Sequence, residues 1–80
     1  MSDSELHNHI EALVAEEHRL FDLASQRPLE LPEQQRLDDL NVQLDRFYDL
    51  LRQRRAREEF GQNPSAAHLR SADTVEKYLQ

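Results

Sequence analysis

The stretch "QRPLELPEQQ", residues 26 to 35, decides the fold because it interrupts two long helical patterns. Pro28 biases Arg27 toward an extended conformation, so a helix that arrives from the N-terminal side has to end there. Pro32 suits the first turn of a new helix, and the acid that follows it, Glu33, complements the positive end of that helix's dipole. Because the break is short, the two flanking helices must fold back antiparallel.

Upstream of the break, apolar side chains recur at alternating spacings of four and three, which is typical of a coiled-coil heptad seam. Ser2, Asp3 and Ser4 offer oxygens that can cap the start of a helix. The pattern predicts helix 1 over about residues 4 to 26. Its seam consists of Leu6, Ile10, Leu13, Leu20 and Ala24, with Glu17 in a position where another apolar residue is expected.

Downstream of the break, the same alternation predicts helix 2 over about residues 32 to 60. Arg54 and Glu58 continue its stripe in charged form until Gly61 and Pro64 end it. In an antiparallel hairpin, residues whose numbers sum to about 60 should face each other. The apolar members of this seam are Leu37, Leu40, Leu44, Phe47 and Leu51.

The apolar stripe on each helix is wider than a two-helix hairpin needs. A second copy of the hairpin would bury the surplus, so we predict a homodimer in the form of a four-helix bundle. Small chains of this kind commonly gain stability by oligomerisation. The predicted dimer core is formed by Val14, Phe21, Leu23, Tyr48 and Leu50.

The composition excludes several classes of protein. The chain has 80 residues, no Cys and a formal net charge of −6, so it is one small domain without disulfides or cysteine-bound metal. The N-terminal "MSDSELHNHIEALV" is acidic where a secretory signal is basic, and no apolar run is long enough to span a bilayer. We therefore expect a soluble, cytoplasmic protein that does not insert into a membrane.

After Gly61 the heptad register is lost, and this divides the chain into a helical hairpin, residues 1–61, and a C-terminal linker with a short helix or tail, residues 62–80. Asp73 and Glu76 have the spacing of a capping box. The pattern predicts a terminal helix over roughly residues 73 to 79, with Val75, Tyr78 and Leu79 as its apolar face. A helix this short needs a surface to dock on.

The stretch "DLLRQRRAREEF", residues 49 to 60, contains a cluster of four arginines: Arg52, Arg54, Arg55 and Arg57. In the hairpin they lie beside Asp3 and Glu5, and arginines in the last turns of a helix also complement its dipole. Together with Phe60, Tyr78 and Leu79 we expect them to form an interaction surface for a protein. Nucleic-acid binding by the cluster is the alternative, which the acidic charge of the chain disfavours.

Arg54 and Glu17 both occupy seam positions where apolar residues are expected. A buried ion pair can fix the register of a helical assembly. The sequence therefore favours a polar pair between protomers in which Glu17 meets an arginine, either Arg46 or Arg54, of the second chain.

No pattern of catalytic or metal-binding residues is present. His7 and His9 are two residues apart and point to opposite sides of a helix, so they cannot share a metal ion. No serine is placed beside a base, and one glycine cannot build a phosphate-binding loop. We expect a protein that is not an enzyme and that uses no cofactor.

The segments "ALVAEEHRL" (12–20), "DLLRQRRAREEFG" (49–61) and "SADTVEKYLQ" (71–80) resemble, in this order, a small actinobacterial family catalogued as domain of unknown function 2630. The resemblance covers nearly the whole chain and implies a bacterial cytoplasmic setting, with no activity to carry over. This chain has Ser71 where the family pattern has a proline and Lys77 where a glycine is common. Both differences favour a helical tail.

Overall fold

The computed structural model describes residues 1–79, with side chains through Lys77, and within them it is all-α without strands. Its elements are α1 (Asp3–Gln26), α2 (Leu31–Glu59), a 3-10 turn (Pro64–Ala66) and α3 (Ala72–Leu79). Two predictions are confirmed: two long helices are separated by a break within residues 26 to 35, and a short helix follows near the C-terminal end.

Local hydrogen bonds explain where the two long helices begin and end. The Ser2 Oγ accepts the N–H of Glu5 at 3.1 Å and caps α1. Arg27 ends α1 in extended backbone, with φ −159°, as a residue before proline should. At the start of α2 the Glu33 carboxylate accepts the N–H of Glu30 at 2.8 Å and pairs with Arg27 at 2.8 Å. Glu33 therefore fastens the end of α1 to the start of α2.

The hairpin buries far more of α2 than of α1. On α1 only Leu6 is buried, while Ile10 and Leu13 are half-buried against the cluster formed by Leu6, Phe47, Leu50 and Ala67. The difference arises because α2 contacts both α1 and α3, whereas α2 is the one helix that α1 contacts among the described residues. Buried apolar residues on α2 are Leu37, Leu40, Leu44, Phe47 and Leu50.

The register of the hairpin is a few residues lower than the predicted sum of 60. Glu16 pairs with Arg36, and His9 stacks on Phe47. The reason is that α1 ends at Gln26 and α2 starts at Leu31, so the centre of the turn lies before residue 30. Each residue of α2 therefore faces a residue of α1 that lies closer to the N-terminus than the predicted sum of 60 places it.

The fold is a flat, elongated slab. The described residues extend 49 × 27 × 16 Å with a radius of gyration of 14.9 Å. A compact domain of this length would have a radius of about 12 Å. Three helices in the order α1, α2, α3 lie side by side, which leaves two broad faces of the slab.

Candidate functional site

One broad face of the slab is crossed by the connection between α2 and α3. His9, Glu16 and Leu23 are seven residues apart and share one flank of α1. The His9 ring stacks on Phe47 with centroids 5.5 Å apart, and Glu16 binds Arg36 at 2.5 Å. This flank of α1 therefore lies on the same side of the slab as Phe47 and Arg36 of α2. Ala67 of the connection packs there in one cluster with Leu50. We call this side the covered face.

The opposite side carries exposed apolar side chains. Val14 and Phe21 each lie two residues before a member of the covered flank of α1, and Tyr48 lies two before Leu50. Side chains two residues apart on a helix point to nearly opposite sides, so these three share the other side of the slab. Phe21 is 49% exposed and Tyr48 44% exposed, while Val14 is half-buried. We call the surface formed by Val14, Phe21 and Tyr48 the open face.

The five residues predicted as a dimer core do not share one surface. Leu50 is 3% exposed in the single chain, so its burial requires no second copy. Leu23 is half-buried on the covered flank of α1. The sequence could have separated them, because Leu23 and Leu50 each stand two residues after a residue of the open face. What it could not show is that residues 62–71 would cover one side.

Arg54 is held inside its own chain. Its side chain extends along the seam, where Nη1 donates to Asp3 Oδ1 at 2.6 Å and Nη2 donates to the Met1 carbonyl. Arg54 is only 8% exposed, and its Nε is buried without a partner among the described residues. The predicted proximity of the arginine cluster to Asp3 is therefore present for Arg54.

Both arginines that were predicted to pair with Glu17 of a second chain already bind an oxygen atom of their own chain. Arg54 is bound to Asp3, and Arg46 Nε donates to the Arg70 carbonyl at 2.9 Å. Glu17 is half-buried, and its side chain makes no hydrogen bond to another described residue. A pair between Glu17 and either arginine of a second chain would thus have to replace a contact that the single chain already makes.

The remaining arginines lie at the surface around the end of α2. Arg52 and Arg55 are exposed, and neither forms an ion pair within the described part of the chain. Arg57 is half-buried in the last turn of α2, and Phe60, which follows the helix, is 78% exposed. The side chains of Tyr78 and Leu79 lie outside the described residues. Of the predicted interaction surface, Arg52, Arg55 and Phe60 are exposed and Arg57 is half-buried, Arg54 is bound within its own chain, and the part played by Tyr78 and Leu79 stays a prediction.

Among the residues that the structure describes, three carboxyl groups have shifted pKa values. A hydrogen bond from Arg36 lowers the pKa of Glu16, and one from Arg27 lowers the pKa of Glu33. Burial, followed by the neighbouring Asp45 carboxyl, raises the pKa of Glu76. The sequence analysis missed the Glu16–Arg36 pair because the predicted register places Arg36 opposite a part of α1 that is nearer the turn, out of reach of Glu16.

The described residues contain no group of three His, Asp or Glu side chains close enough to hold a metal ion. Within residues 1–79, no helix combines the length and the apolar content that crossing a membrane requires.

Comparisons with known proteins identify relatives without a described activity. A family model described as "Protein of unknown function (DUF2630)" matches residues 2–80. Uncharacterised proteins of Mycobacterium bovis and of Mycobacterium tuberculosis are each 46% identical over 78 residues, which is 96% of this chain and 90% of each relative. No solved structure matches the chain.

Proposed function

This chain belongs to the family of proteins of unknown function DUF2630, and from that premise we propose that it is a non-catalytic interaction protein that works as a homodimer. Two hairpins would pack through their open faces into a four-helix bundle. We further propose a bacterial cytoplasmic location, which the bacterial relatives and the cysteine-free sequence support.

The exposed aromatic pair on the open face carries this proposal. Phe21 is 49% exposed and Tyr48 44% exposed, although the seam positions of the same helices, such as Leu6 and Leu40, are buried. Large aromatic side chains lose the most when left in water and supply much of the binding energy at protein interfaces. Within the described residues, no other part of the chain covers these two side chains enough to bury them.

A second copy is the partner that fits this surface best. Antiparallel hairpins bury a wide apolar stripe by stacking in pairs at a small crossing angle, with helix axes about 8–10 Å apart. The open face is free of the connection between α2 and α3, so another hairpin can approach it closely. Small chains with a limited core are the ones that gain most from such an assembly.

The oligomeric state in solution tests this proposal. Sedimentation equilibrium at micromolar concentration should give the mass of a dimer, and the double variant Phe21→Glu, Tyr48→Glu should give a monomer that stays helical by circular dichroism. Leu69→Glu is the matched control, since Leu69 is 40% exposed and lies in the connecting segment. A wild-type protein that is fully helical and monomeric would defeat the proposal.

The arginine end supplies a second surface, for a protein partner. Arg52 and Arg55 are exposed beside the open face and Phe60 is 78% exposed, so two guanidinium groups and an aromatic ring are all accessible near the end of α2. Arginine and aromatic residues contribute strongly to binding once water is excluded around them. Affinity capture from the native host with the wild type, compared with an Arg52→Ala, Arg55→Ala, Phe60→Ala variant, would identify such a partner.

Nucleic-acid binding by the same end is the alternative function. Tyr48 precedes Arg52 by four residues and Arg55 by seven, so an aromatic ring and two guanidinium groups that have no ion pair among the described residues share one flank of α2. Stacking aromatics beside cations are typical of surfaces that bind single strands. This alternative requires retention on DNA or RNA that weakens steeply with salt and is lost in Arg52→Ala, Arg55→Ala. No binding at low ionic strength would exclude it.

A further inference from the structure

Three polar side chains of α2 hold the segment that leads into α3. Arg46, Asp49 and Gln53 follow one another at spacings of three and four residues, so they share one side of the helix. Gln53 Nε2 donates to the His68 carbonyl at 2.8 Å, and Arg46 Nε donates to the Arg70 carbonyl at 2.9 Å. The two accepting carbonyls are two residues apart, as in an extended segment whose alternate groups face the same side. We call Arg46, Asp49 and Gln53 the clamp.

A buried carboxylate stands at the centre of the clamp. Asp49 is 7% exposed, and its Oδ2 accepts from Gln53 Nε2 at 2.9 Å and binds Arg70 Nε at 3.2 Å. Gln53 belongs to α2 itself, whereas the Arg70 guanidinium arrives with the segment. A carboxylate that is removed from water is costly unless a cation or hydrogen bonds compensate its charge. The clamp therefore favours a segment that brings an arginine to Asp49.

Apolar contacts lie on either side of the clamp along the segment. Before the held carbonyls, Ala67 packs in one cluster with Leu50 of α2. After them, Val75 of α3 is 1% exposed, and α3 contacts α2. The site thus fits a segment with a small apolar residue, an arginine three residues later and then a short helix. These features occur in this order in residues 62–79, which we call the C-terminal arm.

The C-terminal arm is joined to α2 by a short hinge. The 3-10 turn and α3 both contact α2, and among the described residues neither contacts α1. Residues 60–63 separate the end of α2 from the 3-10 turn, and Gly61 turns the chain there with φ +69°. The clamp contacts are made by α2, so the arm of a second chain would find the same partners there.

We propose that the clamp accepts the C-terminal arm of a second copy as well as its own, so that two chains can exchange arms. Exchange replaces each contact of the arm by the same contact in the other chain and alters only the hinge, which makes it a low-cost route to a dimer. Asp49 and Arg70 make the exchange selective, because a segment without a cation leaves the buried carboxylate without an ion pair. This interface is separate from the open face and requires no contact between open faces.

Mixing two damaged full-length chains tests the exchange. The first chain carries Asp49→Lys, which sets a cation against Arg70 and damages the clamp but not the arm. The second chain carries Val75→Asp, which damages the arm but not the clamp. Since a short tether gives a chain's own arm an effective concentration of about 1 mM, the mixture is measured at about 0.5 mM of each chain. The arm of the first chain should then dock on the clamp of the second.

Amide hydrogen exchange reports this docking when only the first chain is isotopically labelled. The N–H of Val75 donates to the Ser71 carbonyl at 3.1 Å, so its exchange reports the start of α3. A helix of 8 residues is unstable in water unless it docks, so the α3 amides of the first chain alone should exchange almost without protection. Adding the second chain should slow their exchange by at least about tenfold.

A matched control separates arm exchange from other association. A second chain with both Asp49→Lys and Val75→Asp retains the open face but has no intact clamp, so it should restore no protection. If circular dichroism shows that the lysine unfolds α2, Arg46→Ala with Gln53→Ala replaces Asp49→Lys in both chains that carry it.

Three results would overturn the proposal: an α3 that stays protected in the first chain alone, one that gains no protection from the second chain, and one that the control chain protects equally well. The oligomeric state of the wild type tests the open-face dimer separately, so the two proposals can fail independently.

Discussion

Arg54 illustrates how one charged side chain can be accommodated in an apolar seam. The arginine stem lies along the seam and carries the guanidinium to the start of α1, where Asp3 and the Met1 carbonyl accept from it. The guanidinium is nearly buried, while the Asp3 side chain is 69% exposed. Charge-assisted hydrogen bonds of this kind are stronger than neutral ones, although water screens the exposed partner.

We predict that Arg54→Ala lowers the free energy of unfolding by about 1–2 kcal/mol. The loss has two causes, the missing contact to Asp3 and the apolar stem that no longer fills the seam. Urea unfolding followed by circular dichroism measures it. Arg55→Ala is the control, because Arg55 is exposed and should change stability by less than about 0.5 kcal/mol. Equal effects of the two substitutions would show that the buried contact contributes nothing.

At the scale of the helices, the end of α2 depends on one glycine. Gly61 has φ +69°, a left-handed conformation that side chains with a Cβ rarely adopt. The N–H of Gly61 donates to the Glu58 carbonyl at 3.2 Å, and the N–H of Gln62 donates to the Arg57 carbonyl at 2.7 Å. This pair of bonds is a Schellman motif, which turns the chain away from the helix and toward the covered face.

Gly61→Ala should destabilise the protein by about 1 kcal/mol because alanine is strained at positive φ. Gly61→Asn is the matched comparison, since asparagine tolerates this conformation better and should cost less. No atom lies within 4 Å of an added Cβ, so backbone strain rather than a clash would cause the loss. Thermal unfolding of both variants and of the wild type ranks the three proteins by stability. An alanine variant as stable as the wild type would contradict the argument.

At the scale of the whole molecule, the flat shape leaves one broad side without cover. The connecting segment packs Ala67 against Leu6, Phe47 and Leu50 on one face, whereas the open face has no such layer. Burying surface roughly in proportion to its apolar area is the main favourable term in folding. A thin slab therefore has a strong physical reason to associate.

If two copies share the open face, the melting temperature must depend on protein concentration, since folding and association are then linked. We predict that the melting temperature of the wild type rises between about 1 and 100 μM, because each dimer that forms draws material from the unfolded state. Scanning calorimetry over this range measures it. The Phe21→Glu, Tyr48→Glu variant should melt at one temperature throughout, and a wild type that does the same would argue against the dimer.

The sequence by itself determined the helices, because their signals are local. Pro28, Pro32 and Gly61 lie where helices end or begin, and the spacing of apolar residues identifies the seam. The helical hairpin and the terminal helix can therefore be predicted without knowledge of distant contacts. Tertiary structure alone decided which residues meet across helices. The pairs Glu16–Arg36 and Asp3–Arg54 depend on the register of the hairpin, and a shift of a few residues rearranges both. Local patterns carry no information on such a shift, because a heptad seam repeats and fits several registers nearly equally well.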